Sequence, residues 1–375
     1  MMFLQDAVDP ATIARALVIK LRHHGDVLLC SPVFTTLKRA APGATIDALV
    51  YLETAPMLAN HPAIAEVHTI DRSWKRSGLL KQIQEERGLV KRLRARRYDL
   101  IVHLTEHPRG ATLTRLLRPK YAVARERADA GRWWRGTFSH HYRLPRATPR
   151  HTVEADLDAL RRIGIYPQEE EKSLVLVPAA SAQAAADEVL RAHGLASRAF
   201  IQCHPGSRWL FKCWPAEKTA ALLDRIARAN QRIAITGAPD PRERALVAEI
   251  MQKVAPSTRE RLADLTGLLR LDGLAALTAH ARAFVGVDSA PMHIAAAMGV
   301  PVLALFGPSG ELEWGPWRVP HRVIVSNDFP CRPCGIDGCG GGKISECLTT
   351  LDVDRVAAAL FDLLAGTRIT SCASP

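Results

Sequence analysis

Short apolar runs rich in valine and isoleucine recur along the chain and alternate with longer stretches of helical spacing. ARALVIKL (14–21), ATIDALVY (44–51), AIAEVHTI (63–70) and YDLIVHLT (98–105) read as strands, with helices predicted over about 26–40 and 79–97. A helix predicted over 152–164 runs into IGIYPQEEEK, a polar, proline-containing stretch and the candidate interdomain linker. The alternation then restarts with SLVLVP (173–178), AFIQCHPG (199–206), QRIAITGA (231–238), RLADLTG (261–267), AFVGVD (283–288) and VPVLALFG (300–307). Strands that alternate with helices of about ten or more residues imply parallel sheets of βαβ units. The architecture repeats although no close sequence repeat is visible. The fold class expected is therefore α/β, with two doubly wound, Rossmann-like domains facing a central cleft. Their expected extents are 1–170 and 171–350, followed by a C-terminal helix and tail over 351–375. Ligands of such sheets sit beyond the carboxyl ends of the strands.

The stretch GVDSAPMHIAAAMGVPVLALFGPSG (286–310) is almost wholly apolar, yet it carries Asp288, Ser289 and His293. AFVGVD reads as a buried strand, Pro291 suits the first turn of a helix, and Gly299 suits its end. The polar trio then lies at a strand-to-helix turn. Free backbone N–H groups and the positive end of the helix dipole favour an anion there. Taken singly, Asp288 or Ser289 also reads as a mere helix N-cap and His293 as a satisfied interior histidine.

Two further loops fall at the same kind of place. AFIQCHPG leads through Ser207 and Arg208 to Lys212, just before WPAEKTAALL, which reads as a helix with Pro215 in its first turn. A lysine after a Gly/Ser turn can meet phosphate as a point charge. QRIAITG runs into TGAPDPRE, where Gly237 and Asp240 are placed to hold a nucleoside. Three such loops in one domain point to a nucleotide diphosphate. In the first half, ALVIKL leads to Arg22, His23, His24, Gly25 and Asp26, with Asp26 near a helix start. Its carboxylate can serve as a base facing the cleft or as a helix N-cap, and both readings stand.

Composition changes this picture in two ways. Residues 1–150 carry 26 Lys+Arg against 13 Asp+Glu, whereas the remaining 225 carry 24 against 25. The basic residues cluster over 75–97 and 115–150, the latter around Trp133 and Trp134. The first half is therefore expected to handle something acidic: nucleic acid, anionic lipid or a phosphorylated substrate. No nucleic-acid motif is present, so nucleic acid is not an expected partner. The start of the chain has no secretory signal pattern, and the longest apolar run, 294–307, is too short to span a bilayer. A cytoplasmic, soluble protein is expected. Cys331, Cys334, Cys339 and Cys347 form C-x2-C-x4-C-x7-C, which reads either as a zinc site or as a Gly-rich loop with packed thiols.

IKLRHHGDVLLCSPVFTTLKRAAPGATIDALVY, FKCWP, the 286–310 stretch and the WGPW after it resemble the ADP-heptose:lipopolysaccharide heptosyltransferases of glycosyltransferase family 9. RPCGIDGCGGGKISECL resembles the heptosyltransferase III branch. The resemblance implies the GT-B fold and an inverting glycosyl transfer. It implies ADP-L-glycero-β-D-manno-heptose as donor and a phosphorylated lipid A-core oligosaccharide as acceptor, with peripheral contact at the inner membrane surface. Its Gly-Asp falls on Gly25 and Asp26, making Asp26 the implied base. Arg22, His23 and His24 beside it are the candidate acceptor contacts. Its lysine falls on Lys212 and its GVD-[ST]-x-x-x-H motif on Asp288, Ser289 and His293, the implied donor contacts with Gly237 and Asp240. No cofactor and no catalytic metal are expected. Another nucleotide sugar or acceptor, and a non-enzymatic polyanion binder, are the alternatives.

Overall fold

The structure is a computed structural model that describes residues 4–367 except 77, 128 and 145–148. The chain divides into two compact units, Met1–Val177 and Pro178–Pro375.

The first unit holds six strands: β1 (Arg15–Ile19), β2 (Thr45–Tyr51), β3 (Glu66–Ile70), β4 (Leu100–His103), β5 (Tyr121–Arg125) and β6 (His140–Tyr142). They pair in the order β3-β2-β1-β4-β5-β6, every pairing parallel. The second unit holds β7 (Phe200–His204), β8 (Arg232–Ile235), β9 (Leu262–Asp264), β10 (Ala283–Val287), β11 (Val302–Leu305) and β12 (His321–Ile324). Their order, β12-β11-β10-β7-β8-β9, is again all parallel. Read from its own first strand, each sheet has the same order, so the repeat seen in the pattern is a repeat of topology. Helices cover the sheets, which is why β1, β4, β7, β10 and β11 are almost continuously buried and apolar. Phe34, Phe200, Phe284 and Phe306 are fully buried, each contributing roughly 1.5–3 kcal/mol through burial.

Several expectations are corrected. SLVLVP forms no strand; Val175 N–H donates to Ser31 Oγ at 2.9 Å and the Val177 carbonyl accepts from Asn60 at 2.9 Å, so side chains replace a strand neighbour. The expected linker IGIYPQEEEK belongs to the first unit. Ile163 and Ile165 are buried, Glu171 pairs with Arg39, and Lys172 pairs with Glu154 at 3.1 Å. The helix expected over 26–40 is two helices, His24–Leu29 and Ser31–Ala40. Pro32, in the first turn of the second, has no N–H to carry the first one through. The C-terminal helix Val353–Gly366 is no appendage: Val356, Leu360 and Leu363 share one core with Leu223, Ile226 and Leu303. β5, β6 and β12 were not expected, and β6 (HHY) and β12 (HRVI) carry too few apolar residues to read as strands.

One charge is built into the first core. Asp47 on β2 is fully buried and accepts from Arg96 Nε at 2.7 Å, Arg96 Nη2 at 2.8 Å and Tyr98 Oη at 2.7 Å. Burial pushes its carboxyl up, but donors from His68, Arg96 and Tyr98 outweigh that and hold it at about 2, below the ordinary 3.8. A carboxyl depressed in the fold adds stability that is complete above 3.8 and drains away as pH falls toward 2. Asp47→Asn is therefore expected to cost roughly 2–4 kcal/mol at neutral pH. Urea unfolding of both proteins from neutral pH down to about pH 3 checks this: the gap should narrow with acid, and a gap that is small or independent of pH contradicts it.

Candidate active site

In both sheets the chain order reverses between two central strands, β1 and β4 in one unit, β7 and β10 in the other. Loops leaving the carboxyl ends of such a pair diverge to opposite faces and open a crevice for ligand. The residues singled out by sequence fall largely on these loops.

In the first unit, β1 ends at Ile19 and the next residue, Lys20, is buried. Its Nζ lies 2.7 Å from both carboxylate oxygens of Asp156, on the buried face of the helix Thr152–Arg161. Burial opposes the Lys20 charge, but Asp156, with further help from Asp26, outweighs it and raises its proton affinity. Burial pushes Asp156 up to about 6, the Asp26 charge adding to the effect and Lys20 opposing it. At neutral pH the pair is therefore ionised, and both members feel Asp26.

Asp26 itself is in the first turn of the helix His24–Leu29, whose N-cap residue is His23. The helix begins earlier than the sequence indicated, and the reading of Asp26 as an N-cap does not hold. Its side chain is 14% exposed, and Arg22 Nε, on a far more exposed side chain, lies 3.7 Å from its Oδ1. His24 Nε2 lies 2.8 Å from the Glu53 carbonyl, which ties the start of this helix to the segment Leu52–Met57. At the end of β4, His103 is fully buried against Trp134 and Phe138, and burial pushes it down to about 3, so it is neutral.

In the second unit, β10 delivers Asp288 to the edge and the helix Ala290–Ala297 follows, with Ser289 as N-cap residue and Pro291 in its first turn. Gly299, at φ +67°, ends it as the sequence indicated. The Ser289 side chain makes no cap hydrogen bond. Its Oγ is buried and has no hydrogen-bond partner among the described residues. His293 is buried one turn further on. β7 pairs with β10, which carries the loop after β7 to the same edge. Lys212 closes that loop: its Nζ donates to Asp288 Oδ2 at 2.6 Å and lies 5.2 Å from the centre of the Trp209 ring. The geometry thus brings Lys212, Asp288 and Ser289 together at a helix N-terminus, the local field that favours a bound anion.

The third loop is held differently from the sequence reading. Asp240 accepts from Arg242 N–H at 2.9 Å and caps the helix Pro241–Lys253, so its carboxylate has a structural role. Glu243, not anticipated, binds the loop from within. It accepts from Ala238 N–H at 2.8 Å and lies 3.6 Å from His204, whose Nδ1 is 3.0 Å from Thr236 Oγ1. Burial raises the Glu243 carboxyl, but His204 and the Ala238 N–H outweigh it and lower it overall. A Cβ on Gly206 would meet Glu243 Oε2 at 2.6 Å, so a larger residue there would have to displace the Glu243 carboxylate. Asp156 was also missed, though its signal was present: it falls on the apolar stripe with Val153, Leu157 and Leu160.

Cys331 and Cys339 are exposed, Cys334 is half-buried, and Cys347 is buried with its thiol pushed up by burial. Among the described residues no group of three or more His, Cys, Asp or Glu is placed to hold a metal ion. Cys339 Sγ instead accepts from Glu346 N–H at 3.4 Å.

The family model for glycosyltransferase family 9 (heptosyltransferase) matches residues 87–344. Lipopolysaccharide heptosyltransferase 3 of Escherichia coli is 33% identical over 318 residues, 84% of this chain and 89% of that protein. The solved glycosyltransferase family 9 protein from Veillonella parvula superposes with a TM-score of 0.81 at 23% identity, covering 97% of this chain and all (100%) of that one. The E. coli heptosyltransferase WaaC with ADP gives 0.72 at 20%, covering 93% and 99%. The two doubly wound α/β units are thus those of the GT-B heptosyltransferases. The chain belongs to glycosyltransferase family 9, the heptosyltransferases.

The Lys20–Asp156 pair gives a direct test of what holds the first edge. Lys20→Met strands a buried carboxylate and should cost about 3–5 kcal/mol, whereas the double change Lys20→Met/Asp156→Leu should recover most of it. The loss should shrink below about pH 6, where Asp156 takes up a proton. Denaturant unfolding of the three proteins reads this; a single variant as stable as wild type would mean the pair does not secure the edge.

Proposed function

We propose that this protein transfers L-glycero-D-manno-heptose from ADP-heptose to the inner core of lipopolysaccharide, in the manner of a heptosyltransferase III, at the cytoplasmic face of the inner membrane. What carries the reading is the Lys212–Asp288 pair beside the unpartnered Ser289 hydroxyl at a helix N-terminus. A cation beside a helix start suits the diphosphate of a nucleotide sugar, and the chain is similar to lipopolysaccharide heptosyltransferase 3. Lys212 meets the diphosphate as a point charge, the N–H groups of the helix start share its oxygens, and Asp288, Ser289 and His293 hold the donor sugar. Gly237 lies on the loop proposed for the nucleoside.

Chemically the reaction needs one base. The acceptor hydroxyl oxygen attacks the anomeric carbon from the face opposite the diphosphate, and its C–O bond forms as the bond to the β-phosphate oxygen breaks. The bond electrons leave with ADP, already a stable anion, so no acid is needed for departure. The hydroxyl proton goes to Asp26, and the configuration inverts. Lysine and helix N–H groups aimed at the leaving phosphate take the place of an acid catalyst. Arg22, His23 and His24 flank the base and contact the acceptor. Among the described residues no helix is long and apolar enough to cross a membrane.

Purified protein incubated with ADP-heptose and cores truncated at successive sugars, with products weighed by mass spectrometry, identifies donor and acceptor. In the same assay Asp26→Ala should cut turnover by roughly two to four decades, the usual range for loss of a general base. ADP binding should be unchanged. Near-normal turnover by that variant would remove Asp26 as base, and no heptose addition to any core would remove the proposed reaction.

A further inference from the structure

The helix Leu79–Arg96 crosses from β3 to β4 and is the most basic element of the first unit. Its first turn carries Leu79 at 73% and Leu80 at 86% exposure, values no soluble surface gains from. Leu80, Ile83, Arg87, Lys91 and Arg94 follow one another at three- and four-residue spacing and so form one stripe, apolar at its start and cationic further on. Along that stripe runs a groove of about 640 Å³, floored by Val90 and Leu113 and walled on the far side by the helix Pro108–Leu117. The one acidic group in the groove wall, Glu86, pairs with Arg109. The groove charge is therefore set by Arg87, Lys91 and Arg94. Leu116, also exposed, supplies a further apolar contact on the second helix.

We propose that this face is a docking surface for an anionic phospholipid bilayer. The stripe Leu80–Arg94 lies along the interface, Leu79, Leu80 and Ile83 enter among the acyl chains, and Arg87, Lys91 and Arg94 sit on lipid phosphates. Charge complementarity and the mixed apolar–basic composition select this occupant. A nucleic acid or a soluble polyanion would meet the cations and leave the exposed leucines in water, whereas a bilayer surface satisfies both. Topology gives the surface a use. The start of this crossover helix follows the carboxyl end of β3, the sheet edge from which the Asp26 loop also leaves. A bilayer held there presents a lipid-borne acceptor to the edge that carries the proposed base. The inference rests on the proposed function for that use alone, because vesicle binding needs no donor.

Co-sedimentation with phosphatidylglycerol-containing and pure phosphatidylcholine vesicles tests it. The protein is expected to bind the anionic vesicles, to ignore the neutral ones, and to release as salt rises. Each lipid-facing cation contributes about fivefold to partitioning, so R87Q/K91Q should bind roughly twenty-five-fold more weakly. L79S/L80S should also bind more weakly but keep the wild-type salt dependence. Both variants should unfold at the wild-type temperature and retain full turnover on a delipidated, water-soluble core while losing it on vesicle-borne acceptor. Failure of the wild type to bind anionic vesicles, or binding by R87Q/K91Q equal to wild type, overturns the proposal. Loss of transferase activity in free solution would instead strike at the proposed reaction and leave vesicle binding standing.

Discussion

Everything in this molecule follows from parallel strand pairing. All neighbours in both sheets run the same way, so no two of them can be joined by a tight hairpin. Each connection has to cross back over a sheet face, which buries the strands on both sides and leaves their carboxyl ends on one edge. Where chain order reverses, between β1 and β4 and between β7 and β10, neighbouring loops part and expose that edge. The polar residues of chemical interest sit there because it is where a buried strand can deliver a charge to the surface without stranding it.

The charged pairs differ in what they do. Asp47, held by Arg96 and Tyr98, and the pair Lys20 and Asp156 are buried, and their cost of desolvation is met by short, multiple contacts. They fix the position of β2 and of the start of the Asp26 loop. His204 with Glu243 performs the same service for the loops after β7 and β8. Lys212 with Asp288 stands apart in its place: it lies at the edge beside a helix N-terminus. A lysine held in that geometry by a carboxylate is pre-positioned, so little ordering remains to be done when an anion arrives.

Much of the fold was legible because continuous apolar runs such as AFVGVD and VPVLALFG belong to strands buried on both faces. SLVLVP has the same look and forms no strand, because an apolar run says nothing about whether a neighbouring strand is available to share its hydrogen bonds. The boundary between the units moved for a similar reason: IGIYPQEEEK reads as linker by composition, yet Glu171 and Lys172 find opposite charges that only the folded unit brings near. At the candidate site, residues that follow a strand closely, Asp26 and Asp288, were found from sequence. Asp156 was not, since it reaches the edge from a helix distant in the chain, and Glu243 was passed over in the quoted loop in favour of Asp240. Asp240 shows the converse, for a short acidic side chain before proline is as suited to capping a helix as to meeting a ligand.

The placement of the diphosphate at the start of the helix Ala290–Ala297 is the point on which the functional reading turns. A crystal structure of the protein with ADP bound addresses it most directly. The diphosphate oxygens are expected within hydrogen-bond distance of Lys212 Nζ and of the backbone N–H groups that open that helix, with Ser289 Oγ among the donors. A diphosphate bound elsewhere, with the Lys212–Asp288 pair undisturbed and Ser289 still unpartnered, would contradict it.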